Sequence, residues 1–245
     1  MRTPTPAVPD FHLPYDTHHH APILLLSRRR LLTGAAALTG VAIAGGAVNA
    51  LAQTIAGKLP STPFQVMGPF YPVDVPADQD ADMTILGSNK ERAAGTIIYV
   101  TGRVLDTHGA PIANASLDIW QANAVGRYAH PADDNKAALD ANFQGFARIR
   151  TAADGSYKFK SIKPGPYPTG VEDWVRPPHI HFDVRGNKSR LLTQMYFEGD
   201  ALNAKDRLLN NIKLKETVVA KLDAAPSAAE KGALGLRWDV VLGSG

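Results

Sequence analysis

His179 and His181 stand two residues apart in Pro177-Pro178-His179-Ile180-His181-Phe182. On a β-strand alternate side chains project from one face, so this spacing sets two imidazoles about 6–7 Å apart at Cβ, close enough to share one metal ion. Imidazole is a common metal ligand, yet the pair alone is equally compatible with two hydrogen-bonded structural histidines. The sequence has no Cys, which excludes a disulfide framework, a thiolate nucleophile and a zinc ribbon, so further donors must be carboxylate or phenol oxygens. No acidic residue is near in sequence to make the common two-His-one-carboxylate facial triad of a ferrous site, although Asp183, two residues beyond His181, would face the same side. A ferric ion instead favours hard anionic oxygen donors and can hold a tyrosinate well below the usual phenol pKa. Tyr128, in Asn123-Ala124-Val125-Gly126-Arg127-Tyr128, and Tyr167, in Lys163-Pro164-Gly165-Pro166-Tyr167-Pro168, are the candidates. Taken singly, each also reads as a packing tyrosine with its hydroxyl satisfied.

The elements that must position these groups read as short strands. Residues 96–106 are rich in β-branched side chains and end in a Thr-His-Gly-Ala-Pro turn. Residues 116–121 alternate, with Leu117 and Ile119 against Asp118 and Trp120, and 147–151 alternate again before Ala153-Asp154-Gly155-Ser156, which predicts a hairpin into Tyr157-Lys158-Phe159. Residues 179–184, 192–197 and 236–242 complete the set, the last containing Trp238. Short strands at this spacing with Gly and Pro turns predict an all-β protein, an antiparallel β-sandwich with little helix. The one helical stretch is 205–223, where Asp206 opens a run with Leu208, Leu209 and Ile212 on one side, although Val218 and Val219 could equally start a strand. Residues 122–146 and 163–178 lack periodicity and read as long loops, where a rigid sandwich usually carries its function. Asp118 and Asp183 are expected to face solvent or to be hydrogen-bonded, and Trp120 to pack. His108, in a turn, and His130, in a polar loop, are expected to be solvated.

The chain has 245 residues, 44% hydrophobic and 20% charged, which excludes disorder. Its first 52 residues read as a leader. Ser27-Arg28-Arg29-Arg30-Leu31-Leu32 opens a stretch, Leu31 to Ala52, of 22 residues without a charge, closing on Ala50-Leu51-Ala52. This is the pattern of a twin-arginine export signal with a small-x-small cleavage site. An uncleaved anchor is the alternative reading, since 22 residues can span a bilayer, but the segment is rich in Gly and Ala. Cleavage leaves 53–245 as the functional domain, periplasmic or extracellular, with no stable membrane insertion. It also leaves 22 basic against 21 acidic residues, a balance that argues against a nucleic-acid partner. Four of the eight histidines go with the leader, and His108, His130, His179 and His181 remain. The twin-arginine route carries folded proteins, so a cofactor could be loaded before export.

The segments Thr62-Pro63-Phe64-Gln65-Val66-Met67-Gly68-Pro69-Phe70-Tyr71-Pro72, Leu117-Asp118-Ile119-Trp120-Gln121-Ala122-Asn123-Ala124 and Tyr196-Phe197-Glu198-Gly199-Asp200, with the loops between them, resemble the intradiol ring-cleavage dioxygenases, most closely the protocatechuate 3,4-dioxygenase type. The resemblance implies a non-haem ferric ion held by Tyr128, Tyr167, His179 and His181, with O2 as co-substrate. It implies that Arg176 stabilises charge on the substrate ring and that Gln194 orients the substrate. Trp174 becomes a candidate pocket wall. The implied reaction opens a catechol-type ring between its hydroxylated carbons and gives a cis,cis-muconate-type diacid, with Tyr167 taking one of the catechol protons.

Three features depart from the family pattern. Tyr167 to His179 is one residue shorter than is common, Val175 and Thr169 stand where aromatics are usual, and Met67 replaces a frequent acidic residue. The departures bear on the identity of the catechol and on subunit contacts more than on the reaction. A homo- or hetero-oligomer is compatible with the resemblance. Two rival classes stay open on sequence: a non-catalytic transthyretin-like or carbohydrate-binding sandwich, and a copper or zinc enzyme on the same scaffold.

Overall fold

The β-branched run of Ile97–Asp106 forms strand β1, whose alternate residues Ile98, Val100 and Val104 are fully buried. In the computed structural model, which describes residues 57–243 except Ala229, the chain continues through β2 (Ser116–Trp120), β3 (Phe146–Arg150), β4 (Ser156–Ile162), β5 (Tyr167–Pro168), β6 (Val175–Arg176), β7 (His179–Arg185) and β8 (Arg190–Phe197). A single helical turn, α1 (Arg207–Asn211), precedes β9 (Val219–Leu222), β10 (Leu234–Arg237) and β11 (Val240–Leu242). The leader read at 1–52 lies outside the described residues. Among those described, no helix is long and apolar enough to cross a membrane.

Mostly β with little helix is as expected; the strands form a mixed, nearly closed sheet rather than clearly an antiparallel sandwich. Nine strands make one mixed sheet in the order β11-β1-β10-β9-β8-β7-β2-β3, with β4 on the other edge of β1. β10 and β11 both run parallel to β1, and β9 runs parallel to β8. These closing strands join the two halves into a nearly closed sheet wrapped around one core, where Phe182 of β7 meets Trp238 at 4.9 Å and Phe159 of β4 at 6.0 Å between ring centroids. Trp238 is not a strand residue. It interrupts β10 and β11, is buried, and donates its indole N–H to Thr217 O at 2.8 Å.

The predicted hairpin fails in its pairing. The Asp-Gly turn forms, with Gly155 N donating to Ala152 O at 3.0 Å, but β3 zips onto β2 and β4 onto β1. Thr151 is the reason: its N–H goes to Ala115 O and its hydroxyl to Ile112 O, so the chain is already committed to β2 before it turns. The helical reading of 205–223 breaks into α1, capped by Asp206 and ended at Ile212, whose ψ of 140° is extended, and a 3-10 turn at Lys215–Val218; the strand alternative prevails from Val219.

Candidate metal centre

Strand β7 is buried on both faces, and its two faces differ in kind. Ile180, Phe182 and Val184 join the apolar core, while His179, His181 and Asp183 point the other way. Register carries this second face sideways: His181 pairs with Trp120 of β2 and Gln194 of β8, and His179 with Tyr196. Trp120 stacks on the His181 imidazole with centroids 4.9 Å apart and planes 11° off parallel. The segment 62–71 covers the face. Gln65 N donates to Leu192 O at 2.8 Å, Phe70 stacks on Tyr128 at 4.5 Å, and Tyr71 packs edge-on against Trp120 at 5.0 Å. Gly68, at φ 74°, lies so close to His181 that a Cβ would stand 3.2 Å from Cε1.

The two tyrosine loops are clasped to one another. The Asn123 carboxamide accepts from Val125 N and Arg127 N, folding the first loop into a tight turn, and Gly165 N donates to Asn123 O at 2.9 Å. Gly126 permits the approach, since a Cβ there would meet Pro166 O at 2.1 Å. The clasp sets the Tyr128 and Tyr167 rings edge to face at 5.8 Å. Tyr128 N donates to the buried Asp133 carboxylate at 2.7 Å, which fixes the turn into the site. As a result the Tyr128 Oη lies 3.0 Å from His181 Nε2 and 3.5 Å from His179 Nε2. Tyr167 is half-buried, packed edge-on against Phe70 at 5.3 Å, and its hydroxyl makes no hydrogen bond to either imidazole.

All these donors are held neutral. Burial, then the Arg176 charge, pushes His181 down to about 3, and burial, Arg176 and His181 hold His179 well below the ordinary histidine value against the raising effect of its bond to Pro177. His179 Nδ1 donates to Pro177 O at 2.7 Å, which fixes the tautomer and leaves the Nε2 lone pair toward Tyr128. Burial raises the Tyr128 phenol well above its usual range, and Tyr167 more mildly. Two neutral imidazole nitrogens beside a phenol oxygen suit one ion, because ligand atoms roughly 2 Å from a metal stand roughly 3–3.5 Å from one another. Among the described residues no group of three or more His, Cys, Asp or Glu side chains is placed to hold a metal ion, and the oxygen that stands beside the two imidazoles is the Tyr128 phenol. Asp183 does not complete a facial triad. It is fully buried and is taken up by Arg185 and by Arg190, the latter at 2.8 Å. Asp118 follows the hydrogen-bonded one of its two expected alternatives, fully buried with both oxygens on Arg148 at 2.6 and 2.8 Å.

Beside the imidazoles lies a second polar cluster. Arg176 is buried at the end of β6, whose partner residue across the short ladder is Tyr167. Its Nη2 donates to Gln194 Oε1 at 2.7 Å and to Tyr196 Oη at 2.8 Å. Gln194 donates in turn to Val66 O at 2.9 Å, and Tyr196 Oη lies 3.0 Å from Gln65 Oε1. Trp174 donates its indole N–H to Asp206 at 3.2 Å and stacks under Arg207. His108 is exposed near Asp106, and His130 packs on Phe70 at 5.6 Å, away from the paired imidazoles. The sequence reading assigns no site role to Gln65, Gly68, Tyr196 or Asp206; the first three lie in the 62–72 and 196–200 segments that carry the family resemblance, and Asp206 reads only as the start of the helical run.

Residues 66–244 match the Dioxygenase family model, Dioxygenase_C. The protocatechuate 3,4-dioxygenase beta chain of Burkholderia cepacia is 41% identical over 180 residues, covering 71% of this chain and 76% of that one. The alpha chain from the same organism is 31% identical over 179 residues, covering 69% and 87%. The dioxygenase domain of a dioxygenase carbohydrate-binding protein fusion from Streptomyces sp. SirexAA-E superposes with a TM-score of 0.56 at 25% identity, over 76% of this chain and all of that one. The chain belongs to the intradiol ring-cleavage dioxygenases. These enzymes open a dihydroxylated aromatic ring between the two hydroxylated carbons, and the family uses non-haem Fe(III) and O2. A non-catalytic sandwich is no longer favoured.

Proposed function

We propose that this chain is an exported ferric intradiol dioxygenase that opens a catechol-type ring with O2 and yields a cis,cis-muconate-type diacid. The observation that carries the reading is the approach of Tyr128 Oη to Nε2 of both His179 and His181, at 3.5 and 3.0 Å, where both imidazoles are uncharged and the phenol would give up its proton to a bound ferric ion. In this reading Tyr128, Tyr167, His179 and His181 hold the ion. When bound, ferric iron supplies a Lewis acid that draws electron density from the ring and opens it to reaction with O2. The remaining work falls to this chain's own groups. Tyr167, half-buried and free of the imidazoles, would be a tyrosinate only while it holds the ion, and on leaving the ion that oxygen could take one catechol proton and return to the phenol. The Arg176 guanidinium stabilises negative charge on the ring, an effect of about 2–4 kcal/mol for a well-aimed charged donor. Gln194 orients the substrate, and Trp174 walls the pocket. The strap 62–71 excludes water from the imidazole side.

The test is anaerobic titration of the purified holoenzyme with catechol, protocatechuate and hydroxyquinol, then admission of O2 and identification of the product. A ring-opened diacid is expected together with a burgundy tyrosinate-to-ferric absorption band. A yellow extradiol semialdehyde, or copper or zinc in place of iron on metal analysis, contradicts the reading. The twin-arginine pattern of 28–30 supports removal of 1–52 and delivery of 53–245 beyond the cytoplasm; cell fractionation with Arg29→Lys and Arg30→Lys together should retain the protein inside. The alpha and beta chains among its relatives support assembly into an oligomer, readable from the mass in solution.

A further inference from the structure

We propose that Asp206 is a positioning residue that sets the plane of the Arg176 guanidinium, an inference that rests on the reading of Arg176 as the group that meets the substrate ring. Asp206 is fully buried, and a buried carboxylate persists only where donors surround it. Its Oδ1 accepts from Arg176 Nε at 3.0 Å and from Trp174 Nε1 at 3.2 Å, and its Oδ2 accepts from Arg176 Nη2 and from Leu209 N, both at 3.2 Å. The two bonds to Arg176 form a fork, which fixes the guanidinium plane in a way that a single contact does not. Nη2 is then shared with Gln194 Oε1 and Tyr196 Oη, so the Nε–Nη2 edge is consumed by protein. None of these bonds engages Nη1, and the fork therefore decides which nitrogen remains for a ligand and where it points.

A helix cap alone does not explain this residue. The turn it caps, Arg207–Asn211, needs one oxygen on Leu209 N, a task that Ser, Thr or Asn performs as well. The carboxylate does more, because it lies where three chain segments meet: β6 through Arg176, the loop before it through Trp174, and α1 through Leu209. Buried ion pairs are poor sources of stability, which leaves geometry as the property this one supplies.

The experiment compares Asp206→Asn, Asp206→Ser, Arg176→Gln and the double variant Asp206→Asn/Arg176→Gln as iron-loaded holoenzymes against the parent, on whichever catechol the parent turns over best. Asp206→Ser keeps the cap on Leu209 N but is too short to fork Arg176, so it covers the case in which Asp206→Asn fails to fold. Both Asp206 variants should retain iron and the parent's absorption band, while kcat falls on the order of 10–100-fold with KM changing less, the range for loss of a partner that orients an active group. In the Arg176→Gln background, Asp206→Asn should add a factor of less than about three, because the residues act as one unit. Full activity in both Asp206 variants, loss of iron from both, or losses that multiply in the double variant would each overturn the proposal. If Arg176→Gln alone leaves kcat unchanged, the role read for Arg176 falls and takes the positioning role with it. Full activity in the Asp206 variants beside an impaired Arg176→Gln rejects only the positioning role.

Discussion

Gly68→Ala tests how tightly the covering strap is fitted to the imidazole face. Gly68 has φ 74°, a conformation that costs an L-residue about 1–2 kcal/mol. For a domain of this size that corresponds to a fall in Tm of about 2–8 °C. The second part of the effect is local. The new Cβ would stand 3.2 Å from His181 Cε1 and 3.9 Å from Nε2, so either the ring or the strap must shift by a few tenths of an ångström. The ring is buried and stacked on Trp120, which leaves it little room to give. A displaced ligand nitrogen weakens a metal site, and we expect iron affinity to drop on the order of 10–100-fold. Gly232→Ala is the control: its φ of 85° carries the same backbone cost, but nothing lies within 4 Å of its Cβ position. Calorimetry on the apo proteins should show similar losses of Tm, and competition with a ferric chelator should separate the two variants. Equal iron retention in both would refute the idea that Gly68 acts through His181.

Tyr128→Phe should abolish iron retention or its charge-transfer band, whereas His108→Ala should leave both unchanged, as read by metal analysis and visible absorption. Asp118 should govern part of the acid sensitivity. Burial alone would raise its carboxyl, but the hydrogen bonds from Arg148 and Tyr71 and the charges of Arg148 and Arg185 prevail and hold it below the ordinary value of 3.8. A lowered folded-state pKa gives stability that is present above the unfolded value and lost as pH falls through the folded one. Urea midpoints should therefore drop below pH ~4 in the parent and vary less with pH in Asp118→Asn, which is weaker at neutral pH; identical slopes would dismiss the linkage. Stripping the metal with a chelator should bleach the colour and lower Tm, both restored by iron, since an ion bound only to the native state stabilises it by mass action.

The i, i+2 spacing of His179 and His181 was enough to read a shared strand face, and β1 runs within one residue of its expected span. The alternation of β2 and β7 carried a less visible fact. It separates two faces, but it does not say whether the second face meets water, and here both are buried. Asp118 and Asp183 lie under Arg148, Arg185 and Arg190, whose long side chains bring the charge that lets the carboxylates leave solvent. Strand direction in the closing half was also illegible, because β9, β10 and β11 are three or four residues long and their partners lie more than a hundred positions away in β1 or on the far side of a loop in β8. The same distance hides the strap. Gln65 and Gly68 reach their partners Gln194 and His181 across most of the domain, and nothing local in either residue announces the contact.

The division of β7 into two buried faces would make the proposed metal centre both rigid and reactive. Ile180, Phe182 and Val184 tie the strand into the core at every second residue, so the intervening imidazoles inherit the rigidity of close-packed side chains. Burial on this face keeps His179 and His181 neutral, with lone pairs available to an ion, while it raises the Tyr128 phenol, so that only a strongly charged ion would draw the proton from that oxygen. A solvated face would hydrate the donors and the ion alike. The same burial imposes a requirement on Arg176, since a lone guanidinium at this depth would be costly and would depress the imidazoles further without adding direction. Pairing it with Asp206 answers the cost, and the forked geometry supplies the direction. Loss of Asp206 is therefore expected to be felt in turnover before it is felt in iron content.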